Sequence, residues 1–505
     1  MEIHIAVEGR HDLAGQIYRQ LRAGIVEGRL AGGTQLPSTR DLAAQLGVSR
    51  KTTLDVFERL LAEGFLYARP GAGTYVARGL RRLPGEPSAH ARAAHQARVP
   101  AKAGLRSVPL WDVAPLLPPV PAAGVTYDFV GGVTDKSHFP FDAWRRCVNH
   151  ALRVQVRGAG TYRDAAGEQE LRVAISRYLA FNRAVDSNWE DVIVTQGAQQ
   201  ALDLLARVTL RGGDVVAVED PGYPPARACF AAAGAKLVPV PVDGDGLVVD
   251  RLPNDARLVY VTPSHQFPLG LPMSLERRIA LLEWAQARGA VIIEDDYDCE
   301  YRFEGRPMEP LKSLDRAGLV AYVGTFSKTM FPDLRVGYVV PPASLTRPLA
   351  NARRMTDWHG CMLTQTALAR FMLNGDFAKH LKRMHKLYAG RRAQLLANLQ
   401  GGLARWFEPV VPAAGIHLAA LLKAPLTEAA VAEAAHRASI ALYGIAPFYL
   451  GTPRREGFVF GYGSIEAARI DAALSALARL LPTLGDGSSG HANPHPLKQT
   501  PAPKR

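Results

Sequence analysis

The chain has 505 residues, too many for one compact core, so two or three domains are expected. A formal net charge of +13 favours a polyanionic partner, and the 46 glycines suit an α/β protein with many βα turns. No apolar run reaches the length of a membrane span, the first residues lack a signal-peptide core, and the cysteines (Cys147, Cys229, Cys299, Cys361) have neither metal-type nor redox-pair spacing, which excludes a membrane partner and leaves a reducing cytoplasm as the expected location.

Leu13, Ile17, Leu21 and Ile25 recur at helical spacing and predict an amphipathic helix over residues 12–27, broken by Gly32-Gly33. Ser38 caps a second helix, with Asp41 three residues on, Leu42 and Leu46 on its apolar face, and Gly47 as its stop. Ser49 caps a third, whose inward face reads Leu54, Phe57 and Leu61. Two β-prone stretches, 66–69 and 74–76, joined by Pro70-Gly71-Ala72-Gly73, form a small hairpin or wing. Helix, turn, capped helix and wing in this order predict a winged helix-turn-helix, whose third helix enters the DNA major groove by its N-terminal end.

That end is Ser49-Arg50-Lys51-Thr52. Arg50 and Lys51 suit phosphates or guanine edges, and Thr52 suits a phosphate or a thymine methyl. Arg40 and Arg69 flank the backbone on either side, with Gly71 and Gly73 in the wing turn counted among the DNA-binding set. The words Leu36-Pro-Ser-Thr-Arg-Asp-Leu-Ala43, Leu46-Gly-Val-Ser-Arg50 and Arg69-Pro-Gly-Ala-Gly-Thr-Tyr-Val76 closely resemble the GntR family of winged helix-turn-helix regulators. The resemblance covers residues 10–78 and implies double-stranded operator DNA as a partner.

Residues 79–121 lose periodicity; between 79 and 107 six basic residues face one acid, Glu86, which reads as a flexible, self-repelling linker. The stretch 485–505, rich in Gly, Pro, Ser and Lys, reads as a disordered tail.

From 126 to 482 apolar β-branched runs alternate with helical segments, the pattern of an α/β domain around a mostly parallel sheet. The expected strands are 192–195, 215–219, 236–240, 258–262, 291–295, 319–323 and 337–340. Polar, glycine-rich turns at their C-terminal ends are where such sheets bind ligands. After 319–323 comes Lys328, flanked by Thr325, Ser327 and Thr329, with Arg335 seven residues on. A lysine of lowered pKa condenses with an aldehyde, and hydroxyls with an arginine hold a phosphate ester beside it, so the group suggests pyridoxal phosphate. Gly197-Ala198-Gln199 opens a helix whose free N–H groups suit a phosphate, although an ordinary βα turn has the same form. Tyr223 can stack on an aromatic ring or simply pack. Asp295 ends a buried run and can keep a pyridine nitrogen protonated, and Tyr297, His265 or Gln266 can reach the ring's phenolic oxygen.

The ordered words Tyr162-Arg-Asp-Ala-Ala-Gly167, Thr195-Gln-Gly-Ala-Gln-Gln200, Glu219-Asp-Pro-Gly-Tyr223, Thr262-Pro-Ser-His-Gln-Phe-Pro-Leu-Gly270, Glu294-Asp-Asp-Tyr297 and Thr325-Phe-Ser-Lys328 resemble class I aminotransferases, fold type I of the pyridoxal phosphate enzymes. Behind a GntR-like module, this body resembles the MocR/GabR subfamily of regulators. The resemblance implies a central parallel sheet with a smaller α+β C-terminal subdomain. It makes Lys328 the cofactor lysine, Asp295 the partner of the ring nitrogen, Tyr297 that of the phenolic oxygen and Tyr223 the stacking ring. It gives the phosphate to Arg335, Ser327 and the 197–199 turn, and places Tyr162 across a homodimer interface. It also implies that pyridoxal phosphate, or a small amine or amino acid, is sensed; a working aminotransferase with an accessory DNA-binding domain is the alternative. Three departures stand out. The Asn-Pro-Thr-Gly word of many aminotransferases is replaced by Gln266-Phe-Pro-Leu-Gly270. Phe458-Val-Phe-Gly-Tyr-Gly463 lacks the arginine expected to grip a substrate carboxylate, with Arg454 and Arg455 just before it, and Tyr223 is followed by Pro224-Pro225, with Arg227 further on.

Overall fold

Ser38 and Ser49 each start a helix by accepting the backbone N–H three residues on, from Asp41 at 3.2 Å and Thr52 at 3.1 Å. The computed structural model describes residues 5–7, 9, 11–78, 122–305 and 308–485, and the chain divides into two units, 1–107 and 108–505. The expected linker 79–121 and residues 486–505 of the expected tail lie outside the described residues; Gly485 is the last residue of a helix.

In the first unit the helices Leu13–Val26, Thr39–Leu46 and Arg50–Ala62 bury Ile17, Leu21, Leu42, Val56, Phe57 and Leu60 against Leu66 and Val76 of the wing. The wing pairs Leu66–Arg69 with Gly73–Val76, the second strand starting one residue earlier than expected. Gly71 and Gly73, at φ +75° and +111°, take the left-handed backbone that its turn needs. The inward face of the third helix is corrected: Leu54 is 42% exposed, and Thr53 is buried instead. The Thr53 hydroxyl donates to the Thr39 carbonyl at 2.7 Å, so a polar side chain is partnered inside, which a count of apolar residues alone passes over.

In the second unit all seven expected strands enter one sheet, in the order Ile193–Thr195, Gly337–Val340, Val320–Thr325, Val291–Asp296, Ala256–Val261, Val215–Asp220, Lys236–Asp243, with Gly246–Leu247 closing the edge as a hairpin. Apart from that hairpin, Gly337–Val340 alone runs antiparallel to its neighbours. Both faces are covered. Ile293 packs with Ala201 and Leu205 of one helix, while Ile292 packs with Leu281 and Ala285 of another, which is why these strands read as continuous apolar runs.

A smaller antiparallel sheet, Phe407–Val410, His417–Leu422, Gly457–Gly461 and Tyr443–Gly444, packs Phe407, Leu418, Phe458 and Phe460 under the helix Ala467–Gly485. Tyr127–Asp128 pairs in parallel with Ile440–Ala441, and Gly461 donates to the Phe129 carbonyl at 2.8 Å. These bonds anchor the segment that carries Gly132 to the smaller subdomain.

Candidate functional site

The C-terminal ends of the parallel strands bring the expected residues to one edge of the large sheet. Lys328 follows Val320–Thr325, and its ammonium donates to the Gly132 carbonyl at 2.7 Å. Burial pulls its pKa below the ordinary lysine value, with Asp298 and Asp295 opposing and Arg335 assisting. A lysine so placed gives up its proton more readily and is a better nucleophile. Asp295 accepts from the Tyr260 hydroxyl at 2.8 Å through Oδ2, whereas its buried Oδ1 has no hydrogen-bond partner. Burial raises Asp295 to about 7, so the group asks for a cationic donor.

The other end of the cluster suits an anion. Gly197, at φ +78°, precedes the helix Ala198–Thr209, whose first N–H groups and dipole point out of the sheet edge. Arg335 donates to the Gln196 carbonyl at 2.9 Å, and a Cβ at position 197 would lie 2.6 Å from its Nη2; only glycine lets the guanidinium sit there. Ser327 is buried, its N–H donating to Thr325 Oγ1 and its Oγ accepting from the Thr325 hydroxyl, both at 3.1 Å. Gln199 needs qualification. Its side chain donates to the Pro225 carbonyl at 3.0 Å and contacts Cys229 Sγ, so only its backbone N–H is left for the anion. Tyr162 is 73% exposed, and its ring contacts are Trp358 at 4.5 Å and His359.

Between these ends lies an aromatic wall. Tyr223 meets Phe267 edge-on at 5.3 Å, and Phe267 continues to Phe448 at 5.0 Å and His417 at 5.7 Å. Tyr297 Oη lies 3.2 Å from His265 Nδ1, which is bonded in turn to Asp298 Oδ1 at 2.8 Å. Gln266 turns away, donating to the carbonyls of Pro221 at 2.8 Å and Phe267 at 2.6 Å. Gly132, Tyr260, Phe267, Asp298 and His417 therefore join the site without having been singled out from the sequence. Asp298 alone carried a local signal, as the third carboxylate of Asp295-Asp296-Tyr297-Asp298.

Among the described residues, no arginine of the expected carboxylate grip is assembled here. Arg455 is paired with Glu408 at 2.7 Å on the surface, Arg454 is exposed, and the strand Gly457–Gly461 contains none. Arg227 is buried, and Asp220 offsets part of the fall in pKa that its burial causes. Arg391 donates to Asp135 and to the Gly463 carbonyl.

The residues fit pyridoxal phosphate on their own chemistry. The orphaned oxygen of Asp295 matches a protonated ring nitrogen, Lys328 an aldehyde, and Arg335 with Ser327 and the 197–199 turn a phosphate. Among the described residues, no helix is long and apolar enough to cross a membrane.

Comparison with known proteins agrees. The chain matches the family described as "Aminotransferase class I and II" over residues 132–459, and "Bacterial regulatory proteins, gntR family" over residues 13–76. It is 36% identical over 469 residues to the probable rhizopine catabolism regulatory protein MocR of Rhizobium meliloti, covering 92% of each chain. It is 33% identical to the HTH-type pyridoxine biosynthesis transcriptional regulator PdxR of Corynebacterium glutamicum, over 89% of this chain and 91% of the relative. Among solved structures, Pyrococcus horikoshii kynurenine aminotransferase, in complex with PMP, superposes with a TM-score of 0.68 at 26% identity, over 78% of this chain and 99% of the other.

Proposed function

The chain belongs to the aminotransferase class I and II family and carries a gntR-family regulatory domain ahead of it, the arrangement of MocR-type transcription regulators; on that premise we propose that it is a cytoplasmic, homodimeric regulator that reads the state of Lys328 and passes it to operator DNA. The observation that carries the reading is the pairing of a buried lysine of depressed pKa with a buried, half-unpartnered Asp295, in a chain that also begins with a capped helix-turn-helix.

When bound, pyridoxal phosphate supplies an aldehyde that captures amines and a ring that draws electrons from them. The protein's part is to hold and orient. Lys328 provides the nucleophile, Asp295 keeps a proton on the ring nitrogen, and Tyr223 with Phe267 shields the ring from water. Arg335, Ser327 and the N–H groups at the start of Ala198–Thr209 fix the phosphate. With no arginine fork for an α-carboxylate among the described residues, substrate orientation would be weak, which supports sensing over steady transamination as the output. The effector is pyridoxal phosphate itself or a small amine that competes with Lys328 for the aldehyde. Either shifts a population between domain arrangements only as far as it binds them differently.

Gel-shift titration of promoter DNA flanking the gene, with and without pyridoxal phosphate and candidate amines, tests this. DNA affinity is expected to change with cofactor in the native protein and to be insensitive to it in Lys328→Ala. A purified protein that stays colourless with added cofactor and gains no mass at Lys328 after borohydride reduction overturns the proposal.

A further inference from the structure

His265, Asp298 and His417 form a second buried cluster beside the lysine, each at most 2% exposed and each from a different segment of the chain. Asp298 Oδ1 is 2.8 Å from His265 Nδ1, while Asp298 Oδ2 accepts the Ile416 N–H at 3.2 Å and lies 3.9 Å from His417 Nδ1. The two imidazoles lie 4.6 Å apart. The surrounding backbone makes room for them: a Cβ at Gly415 would overlap the His265 ring, and one at Gly270 would sit 3.1 Å from its Nε2. An imidazole and a carboxylate held this closely, with glycines cleared around them, form a built pair.

The position of one proton follows. Burial works to protonate Asp298, but His265, His417 and the Ile416 N–H outweigh it and hold the carboxyl below its usual range. An ionised carboxylate only accepts, so the proton between it and His265 sits on Nδ1. A nitrogen that carries a proton cannot accept one from Tyr297, whose Oη lies 3.2 Å away. The Tyr297 hydroxyl can take at most a share of that N–H, and its own proton is left for another acceptor.

We propose that the Asp298–His265 pair is a positioning device that holds Tyr297 as a hydrogen-bond donor toward the phenolic oxygen of the ring carried by Lys328, with His417 packed against the imidazole to keep it in place. This rests on the reading of Lys328 as the cofactor lysine. Neither Asp298 nor His417 touches the reacting atoms in this scheme; both act through another side chain. The same three side chains lie close enough together to hold a cation. A metal there would have to displace the proton already shared between Asp298 and His265.

A donor to the phenolic oxygen favours its charged form, so losing that donor raises the pH at which the proton shared by this oxygen and the Lys328 nitrogen is released. The readout is the pH midpoint of the visible band of the cofactor-loaded protein. Tyr297→Phe is expected to move it upward by about one unit, the worth of one hydrogen bond. His265→Gln should move it the same way, and the double variant Tyr297→Phe/His265→Gln no further, because both changes remove one interaction, whereas Asp298→Asn also removes a charge that raises Lys328 and so shifts the midpoint less. The other ionisable groups that influence Tyr297, Asp295, Glu219 and Asp296, are unchanged throughout.

Two conservative variants guard against a folding defect. His265→Asn places an amide N–H near the Nδ1 position and should keep the native midpoint, whereas His265→Gln places it near Nε2 and should shift it. Equal shifts from both histidine variants, an additive double variant, or one equivalent of divalent metal retained by the native protein and lost in Asp298→Asn would each overturn the proposal. A native protein with no visible band refutes the cofactor reading instead, so the two failures are told apart.

Discussion

Gly132 and Lys328 stand 196 residues apart in the chain, yet the lysine ammonium donates to the glycine carbonyl at 2.7 Å. Gly132 has φ +76°, and a Cβ there would lie 2.6 Å from the lysine Nζ. The glycine thus serves both as a backbone acceptor that parks the amine and as the gap into which it fits. Gly132→Ala is expected to cost about 1–2 kcal/mol of stability from the left-handed backbone. It should also weaken cofactor capture about tenfold, the scale of an overpacked contact, because the added Cβ takes the space of the lysine amine. Thermal melts and titration of the visible band measure the two separately, and unchanged capture would remove Gly132 from the site.

The carboxylates under the sheet edge make stability depend on pH. Burial raises Glu219, Glu294 and Asp295 to about 7 and Glu300 to about 8. Each binds a proton more tightly folded than unfolded, so its contribution is complete below the unfolded value near 4 and is lost as pH rises through 7 to 8. The cofactor-free protein should therefore melt at a lower temperature at pH 8 than at pH 6. Asp295→Asn, which removes one of these groups, should make that slope shallower. A melting temperature that rises across this interval contradicts the assignment.

What the sequence reveals and what it hides divides along contact distance. Ser38, Ser49 and the strand Val291–Asp296 were legible because caps and strands covered on both faces are written in neighbouring residues. The gathering of Lys328, Asp295 and Tyr223 at one sheet edge was legible because each lies at or just after the C-terminal end of a parallel strand. Leu54 was misplaced because Thr53, bonded to Thr39, takes the inward position. The partners of the site residues come from far along the chain: Tyr260 for Asp295, Gly132 for Lys328, and His417 for Asp298. His417 in the sequence is simply one histidine at the start of an apolar run. Nothing local distinguishes it from a histidine satisfied in the core.

On the DNA side, Arg50 is the first residue of the helix Arg50–Ala62, exposed, with Ser49 capping behind it. Arg50→Ala is expected to weaken specific operator binding by about 1–3 kcal/mol, with no effect on the visible band. If Lys51 contacts a phosphate, Lys51→Ala should instead weaken all sequences alike and reduce the salt slope by about one. Gel shifts at several salt concentrations separate the two, and unaltered binding by Arg50→Ala would exclude this helix from the groove.

Tyr162 supplies a test of the dimer. In one chain it is 73% exposed and packed against Trp358, itself 55% exposed, with Met355 on the helix before Trp358 88% exposed, an apolar surface that a second copy would cover. If Tyr162 completes the partner's phosphate site, Tyr162→Phe should weaken cofactor binding about tenfold, as expected for one charge-assisted bond. Mixing Tyr162→Phe chains with Lys328→Ala chains gives the decisive outcome. In a mixed dimer one site holds both lesions, while the other combines the intact Lys328 of the first chain with the intact Tyr162 of the second. That second site should bind with native affinity, so borohydride trapping at a cofactor level between the two dissociation constants should label the mixture more than either variant alone. Were Tyr162 to serve its own chain, mixing would create no native site and the labelling would not exceed that of Tyr162→Phe.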